Sequence, residues 1–278
     1  MQKVSTSERP REVLAVTGKG GVGKTTTTAI MTKLLVQEGA PPLVVDADPP
    51  ISLAYALGVE PSKTLGLFRK KLIEDPQEKR RVSGSDRHIR EFIYDEVLID
   101  AKGIPLLVLG RAEGPGCFCG INELLKFGIQ SLSAKYDTTL IDCEAGIEQI
   151  NRLVVNSLTT LLIVSDASIK GIRTAEHLYQ VAAEYAVSGS FRVGLVLNKA
   201  KKDVGPLEKR AEEIGLEIVG YIPEDENVAV FDLMGRPTLD LPDDSPSVIA
   251  VRDLMRRLGL LKGAAQECPR LSEARSCI

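Results

Sequence analysis

A glycine-rich loop near the start of the chain reads Gly18-Lys19-Gly20-Gly21-Val22-Gly23-Lys24-Thr25-Thr26. It lies between an apolar run of strand length, Glu12–Thr17, and a segment of helical period, Thr25–Glu38. This order satisfies the pattern G-x-x-x-x-G-K-[ST] in its required setting of strand, loop and helix. Backbone N–H groups of such a loop converge on phosphate oxygens, and the positive end of the helix dipole adds to the attraction. The loop therefore predicts a bound nucleotide, held from Gly20 to Thr26.

Two side chains of the loop and several carboxylates further along extend this prediction. Lys24 is the cation expected at the β and γ phosphates, and the Thr25 hydroxyl is expected to bind Mg²⁺. A later apolar strand ends in Asp142, which fits a carboxylate that holds Mg²⁺ through water. Asp46 and Asp48 also follow an apolar run. Ligands of open α/β sheets bind at the carboxyl ends of strands, so these acids belong near the phosphates.

Strand-length apolar runs and segments of helical period alternate along the rest of the chain, which predicts a predominantly parallel central sheet flanked by helices. The predicted strands are Glu12–Thr17, Leu43–Asp46, Ile104–Gly110, Thr138–Cys143, Thr160–Val164, Phe191–Leu197 and Glu217–Tyr221. The predicted helices are Thr25–Glu38, Glu123–Lys135 with Asn122 as its cap, one from Ser168 to about Tyr185, and one that begins at Ser245 and ends before Gly259.

The predicted organisation is one α/β domain over residues 11–262, with an extension at 1–10 and a loose tail at 263–278. Five cysteines in 278 residues do not make a disulfide scaffold. A net charge of -3 and a pI of about 5.7 argue against a nucleic-acid partner. No apolar run is long enough to cross a bilayer and the N-terminus has no export signal, so a cytoplasmic location is expected.

An apolar stripe in Val248–Leu261, flanked by arginines, leaves two interpretations open. A helix with this stripe could lie on a membrane surface, or it could pack its apolar side against the sheet. The acidic Asp253 and the net negative charge weaken attraction to anionic lipid, so we expect docking and no stable membrane association.

Asn198 and Lys199, at the end of a predicted strand, are candidates to recognise the purine base of the nucleotide. A guanine-binding pattern would place an aspartate two positions after the lysine, where this chain has Lys201. Adenine is therefore favoured, and ATP and ADP are the expected nucleotides.

The extra lysine of the loop makes the run from Lys19 to Thr26 resemble the deviant Walker A motif of the MinD/ParA/nitrogenase iron protein class of ATPases. The resemblance implies that ATP holds two chains face to face. Lys19 would cross to the partner's phosphates and neutralise transition-state charge, as an arginine finger does. The expected protein is a homodimer that hydrolyses ATP.

The same resemblance assigns further residues. Asp48 would orient the attacking water and so join Lys19 and Lys24 in catalysis, while Asp46 would lie near the Mg²⁺ shell. Asn198 and the backbone around Pro223 would frame adenine.

Cys117 and Cys119 form a C-x-C motif between a predicted strand and a predicted helix. Flanking glycines and a proline require a tight loop, and a following helix N-terminus favours thiolate. Two thiolates suit Ni²⁺ or Zn²⁺ but fill only half a shell, so a twofold axis would supply two from each chain.

The run from Pro115 to Leu125, together with the loop motif and Asp142-Cys-Glu-Ala-Gly, resembles the CooC family, ATPases that deliver nickel to carbon monoxide dehydrogenase. A related branch serves acetyl-CoA synthase. The resemblance implies a nickel metalloenzyme as client. Two alternatives stay open: an electron-transfer ATPase like the nitrogenase iron protein, and a positioning ATPase of the MinD or ParA kind.

Overall fold

The computed structural model describes residues 11–75, 77, 93–111, 119–144, 158–185, 191–200 and 203–263. Their strands are β1 (Glu12–Gly18), β2 (Leu43–Ala47), β3 (Ile99–Ala101), β4 (Ile104–Val108), β5 (Thr138–Cys143), β6 (Thr160–Asp166), β7 (Arg192–Ala200) and β8 (Ile218–Pro223). They form one sheet in the order β3-β4-β2-β5-β1-β6-β7-β8. All neighbouring strands run parallel except β3 and β4, which are antiparallel.

Helices lie between several of the strands and after β8. They are α1 (Lys24–Gln37), α2 (Ser52–Ala56), α3 (Leu65–Glu74), α4 (Cys119–Ser133), α5 (Ile169–Tyr185), α6 (Gly205–Glu213), α7 (Glu226–Leu233) and α8 (Pro246–Arg257). A π-helical turn spans Ile93–Val97, and a 3-10 turn spans Thr238–Asp240.

The alternation of side chains along the strands creates a core on each face of the sheet. On β1, Val13 and Ala15 belong to one buried cluster, to which α3, α4, α5 and α6 contribute. Leu14 and Val16 point to the opposite face and pack with α1 and α8. A third cluster lies between β2, β4 and α2. The chain is thus a three-layer α/β structure, as the sequence predicts.

Every predicted strand is present, with ends shifted by a few residues, and one strand was missed. β3 is only three residues long and pairs with β4 through a tight turn at Lys102 and Gly103, so it carries too little periodicity to be recognised. Ser168 precedes α5 as predicted, and its hydroxyl accepts the N–H of Gly171 at 3.0 Å.

The prediction that Asn122 caps a helix was wrong. α4 begins at Cys119, and Asn122 lies buried within its first turns. Ile121, one residue before the predicted cap, is also within the helix and is fully buried in the core. The predicted extension at residues 1–10 lies outside the described residues, as does the predicted tail at 263–278 apart from Gly263.

The apolar stripe of α8 faces the protein. Val248, Val251, Leu254 and Met255 are all buried in the core shared with α1, and α8 packs on β8. The expected docking is therefore confirmed. None of the helices in the described ranges is long and apolar enough to cross a membrane.

Candidate nucleotide site

The glycine-rich loop joins β1 to α1, and two of its glycines are required by close contacts. A Cβ on Gly18, whose φ is +149°, would lie 2.1 Å from the carbonyl oxygen of Val164 on β6. A Cβ on Gly23, whose φ is +94°, would lie 2.2 Å from Nδ2 of Asn198 on β7. A side chain at either position would therefore clash with a neighbouring strand and strain the loop backbone.

The two lysines of the loop have different surroundings. Lys24 is buried, and its Nζ donates to the carbonyl oxygen of Lys19 at 3.3 Å. The Lys19 side chain is exposed. Lys24 thus lies within the loop, where β and γ phosphates would bind, while Lys19 is free to reach outwards.

Thr25 and Asp142 form the part of the site that fits Mg²⁺. The Thr25 hydroxyl donates to Oδ2 of Asp142 at 2.6 Å. Oδ1 of Asp142 is buried and has no hydrogen-bond partner among the described residues. Burial raises the pKa of Asp142 to about 7, partly offset by the hydrogen bond from Thr25. A hydroxyl beside an unpaired carboxylate oxygen is the donor set that a hard cation prefers, so Mg²⁺ held here would neutralise phosphate charge.

Asp46 lies on β2 directly beside Asp142, its partner in register. Its Oδ2 accepts the N–H groups of Leu53 and Ala54 at 3.0 and 3.1 Å, and its Oδ1 accepts the N–H of Asp48 at 3.3 Å. Burial raises its pKa to about 6 against the opposing effect of these backbone bonds. The hydrogen bonds favour a positioning role, and the predicted place near the Mg²⁺ shell stays a prediction.

Asp48 follows β2 and is half-buried at the edge of a cavity. Burial raises its pKa, and the nearby charge of Lys24 opposes that rise. A carboxylate that faces the phosphate lysine can accept a hydrogen bond from water, which is the chemistry expected of a residue that orients a nucleophile.

The cavity, of about 790 Å³, extends from the loop to the end of β8. Asn198 and Pro223 both line it. The Asn198 amide donates to the Val22 carbonyl at 2.7 Å, and its Oδ1 accepts the N–H of Lys199 at 2.8 Å. Val22 itself contributes a buried side chain to the core. Asn198 therefore connects the loop to the end of the cavity where adenine is predicted to bind. The loop residues that line the cavity are Gly20, Gly21, Gly23, Lys24, Thr25 and Thr26.

The sequence matches the CobQ/CobB/MinD/ParA nucleotide-binding domain family over residues 13–238. The chain belongs to this family.

Three comparisons illustrate the range of the CobQ/CobB/MinD/ParA family. An uncharacterized ATP-binding protein of Methanocaldococcus jannaschii is 36% identical over 251 residues, which cover 88% of this chain and 98% of that protein. The carbon monoxide dehydrogenase accessory protein CooC of Rhodospirillum rubrum is 28% identical over 267 residues, 91% of this chain and 99% of its own. The structure of the MinD cell division protein of Aquifex aeolicus superposes with a TM-score of 0.66 and 24% identity, covering 92% and 100% of the chains, and shows the shared fold.

Within this CobQ/CobB/MinD/ParA domain the predicted thiolate pair is only partly described. Cys119 is the first residue of α4, and Cys117 lies outside the described residues. Cys143, at the end of β5, is a free and fully buried thiol whose pKa burial raises to about 12. It belongs to the core and not to an exposed metal site.

Sequence reasoning missed the far wall of the cavity in this family member. The guanidinium of Arg236 stacks on the Phe231 ring at 4.0 Å, and both residues line the cavity. Asp225, also in the wall, accepts hydrogen bonds from Asn227 at the start of α7 and from Ser245 and Ser247 at the start of α8. These residues carry no motif, because their place depends on how two helices pack.

Proposed function

We propose that this protein is an ATP-hydrolysing dimer that delivers nickel to a metalloenzyme, carbon monoxide dehydrogenase or acetyl-CoA synthase. The observation that carries the proposal is that a chain similar to CooC over 91% of its length contains both a P-loop motif and the Cys117-Phe118-Cys119 motif. Zn²⁺ is the alternative metal at the same thiolates.

The described geometry supports the hydrolytic half of the proposal. Lys24 lies where it would hold the β and γ phosphates, and Thr25 with Asp142 would hold Mg²⁺. Asp48, at the cavity edge, would accept a hydrogen bond from the attacking water and set its direction. Replacing Lys24 by Ala should abolish ATP binding, whereas Asp48→Ala should bind ATP and hydrolyse it slowly. Wild-type turnover in Asp48→Ala would remove Asp48 from the catalytic set.

Lys19 supports the part of the proposal that ATP is hydrolysed by a dimer. Its side chain is exposed, while its own carbonyl accepts from Lys24, so it can leave the loop towards a second chain. Lys19→Gln should impair hydrolysis and ATP-driven dimerisation more than ATP binding by the monomer. Mixing Lys19→Gln with Asp48→Ala chains should restore activity in mixed dimers. Dimers that demonstrably mix but stay inactive would contradict a role in trans.

The metal is proposed to bind on the twofold axis, with Cys117 and Cys119 from each chain. ATP-driven dimerisation must then strengthen metal binding, because linkage is reciprocal. Native mass and metal content would be measured without metal, with Ni²⁺, with Zn²⁺ and with ATP. We expect about one metal per two chains and an affinity that differs roughly 5–150-fold between ATP and ADP states.

The matched variants are Cys117→Ser with Cys119→Ser, and Cys268→Ser with Cys277→Ser, which remove the same number of thiols. The first pair should lose metal-driven dimerisation and still bind ATP. The second pair should behave as the wild type. One tight metal per monomer that persists in the first double variant would defeat the shared site.

The two alternatives have separate observations and tests. A cluster like that of the nitrogenase iron protein could use Cys143, but that thiol is fully buried in the core; a brown protein with broad visible absorption would nevertheless favour it. A MinD-like or ParA-like role is consistent with membership of the CobQ/CobB/MinD/ParA family. Sedimentation with anionic vesicles in the presence of ATP would support it, although the stripe of α8 is already covered.

A further inference from the structure

Ile51 has a backbone conformation that its side chain disfavours. Its φ is +63° and its ψ is +38°, in the left-handed region. Among the described residues only Ile51, Lys102 and Lys199 are non-glycine residues with positive φ. A β-branched residue there is a steric outlier, and such outliers persist only where the surrounding structure fixes them. Ile51 lies in the segment that carries Asp48 from β2 to α2.

Hydrogen bonds clamp this segment at both ends. The Ile51 N–H donates to the Asp48 carbonyl at 3.0 Å and closes a turn over two prolines, Pro49 and Pro50. The Asp46 carboxylate accepts the Asp48 N–H before the turn and the Leu53 N–H after it. Proline fixes φ at both central positions, so the backbone has little freedom between these bonds.

The side chain of Ile51 explains why glycine does not occupy the position. It packs, partly buried, against the cluster formed by β2, β4 and α2, which includes Val44 and Leu53. Apolar contact with this cluster stabilises the left-handed backbone that a free isoleucine would avoid. The packing and the disfavoured conformation therefore act together to hold one geometry of the turn.

We propose that Ile51 is a positioning residue for hydrolysis, because its packed, left-handed backbone sets the turn that directs Asp48 into the nucleotide cavity. The inference rests on the proposed ATPase activity. Asp48 lines the cavity, whereas Ile51 does not, so Ile51 acts through the backbone of the turn. A displacement of about 1 Å at a reacting group can cost roughly 100-fold in rate, so a loosened turn should slow turnover without removing the phosphate loop.

The test compares Ile51→Gly, Ile51→Val and Lys102→Gly. Lys102→Gly is the matched control, because it relaxes a similar left-handed residue, φ +57°, in the exposed turn between β3 and β4. Phosphate release, ATP affinity and amide hydrogen exchange would be measured for each. We expect Ile51→Gly to lower kcat about 10-fold to 100-fold, with ATP affinity within about twofold, and to speed exchange at residues 51–54. Ile51→Val and Lys102→Gly should match the wild type.

Unchanged kcat in Ile51→Gly despite faster exchange would overturn the inference, as would equal slowing in Lys102→Gly. If Ile51→Gly unfolds, Ile51→Asn replaces it, because asparagine tolerates the left-handed region but loses the apolar contact; its kcat should also fall. A wild type that releases no phosphate would defeat the ATPase proposal. Exchange is read separately, and a turn as mobile in the wild type as in Ile51→Gly would defeat the positioning role.

Discussion

Asp46 and Asp142 end neighbouring parallel strands, lie opposite each other in register and are both fully buried, but their carboxylates have different partners. Both oxygens of Asp46 accept backbone N–H groups from the segment that follows it. Asp142 accepts one hydroxyl, and its other oxygen has no partner in the described part of the chain. A saturated carboxylate organises backbone, whereas an unpaired buried oxygen is suited to a cation. Position at a strand end therefore does not by itself make an aspartate a metal ligand.

The largest expected effect is on catalysis by Asp142→Asn. The substitution keeps the shape but removes the charge that would hold Mg²⁺, so ATP hydrolysis should fall about 100-fold to 1000-fold. Phosphate release would be measured across a Mg²⁺ titration. If Asp142→Asn hydrolyses ATP at a rate within about threefold of the wild type at saturating Mg²⁺, Asp142 is not the Mg²⁺ ligand and the proposed difference between Asp46 and Asp142 is wrong.

The next effect is on stability. Asp46→Ala leaves three backbone N–H groups without their acceptor and should lower the free energy of unfolding by about 3 kcal/mol. Asp142→Ala removes a carboxyl that, among the described residues, accepts a hydrogen bond from Thr25 alone, so the loss of stability should be smaller. Urea denaturation of both variants without nucleotide or metal gives the comparison. A larger loss in Asp142→Ala would reverse the assigned roles.

The pH dependence of stability should distinguish the wild type from Asp142→Asn. The pKa of Asp142 is raised by burial to about 7 in the folded chain, against 3.8 for an aspartate exposed to water. The folded state therefore holds more protons between these values, and the contribution of Asp142 to stability is lost as pH rises from about 4 to 7. The free energy of unfolding of Asp142→Asn should therefore rise relative to that of the wild type across this range, and the difference should stay constant at higher pH. Thermal unfolding in EDTA at several pH values would measure it, and a difference independent of pH would refute it.

The smallest expected effect is the release of protons when Mg²⁺ and ATP bind. A cation beside Asp142 lowers its pKa, so binding of Mg²⁺ and ATP at pH 7 should release about half a proton from this group. Calorimetry in buffers of different ionisation enthalpy counts the protons. Asp142→Asn should release correspondingly fewer, and Asp48→Asn serves as a control for the neighbouring carboxylate. Equal release by the wild type and Asp142→Asn would assign the proton elsewhere.

The sequence predicts this sheet well because its signals are local. The loop from Gly18 to Thr26 and the apolar strands each carry a pattern within a few residues. The same locality explains the failures. Asn122 is a residue type that favours helix caps, but α4 begins at Cys119 and Asn122 lies within it.

In the candidate site, too, local patterns predict some residues, whereas others depend on the path and packing of the chain. Lys24, Thr25 and Asp142 follow from motif and strand end, and the structure brings them together at one edge. The hydrogen bonds of Asp46 depend on the path of the chain after Pro50, which no pattern specifies. The stacking of Arg236 on Phe231 similarly depends on how α7 packs.

The sheet order has a consequence for synthesis of the protein. β1 leaves the ribosome early, yet its neighbours are β5 and β6, with Val13 opposite Thr139 and Leu14 opposite Thr160. The loop after β1 is also tied to Asn198, which is made later still. Contacts between such distant residues form slowly, because a long loop must close first. We therefore expect the nascent chain to carry a complete phosphate motif but to bind ATP stably only after β7 has emerged.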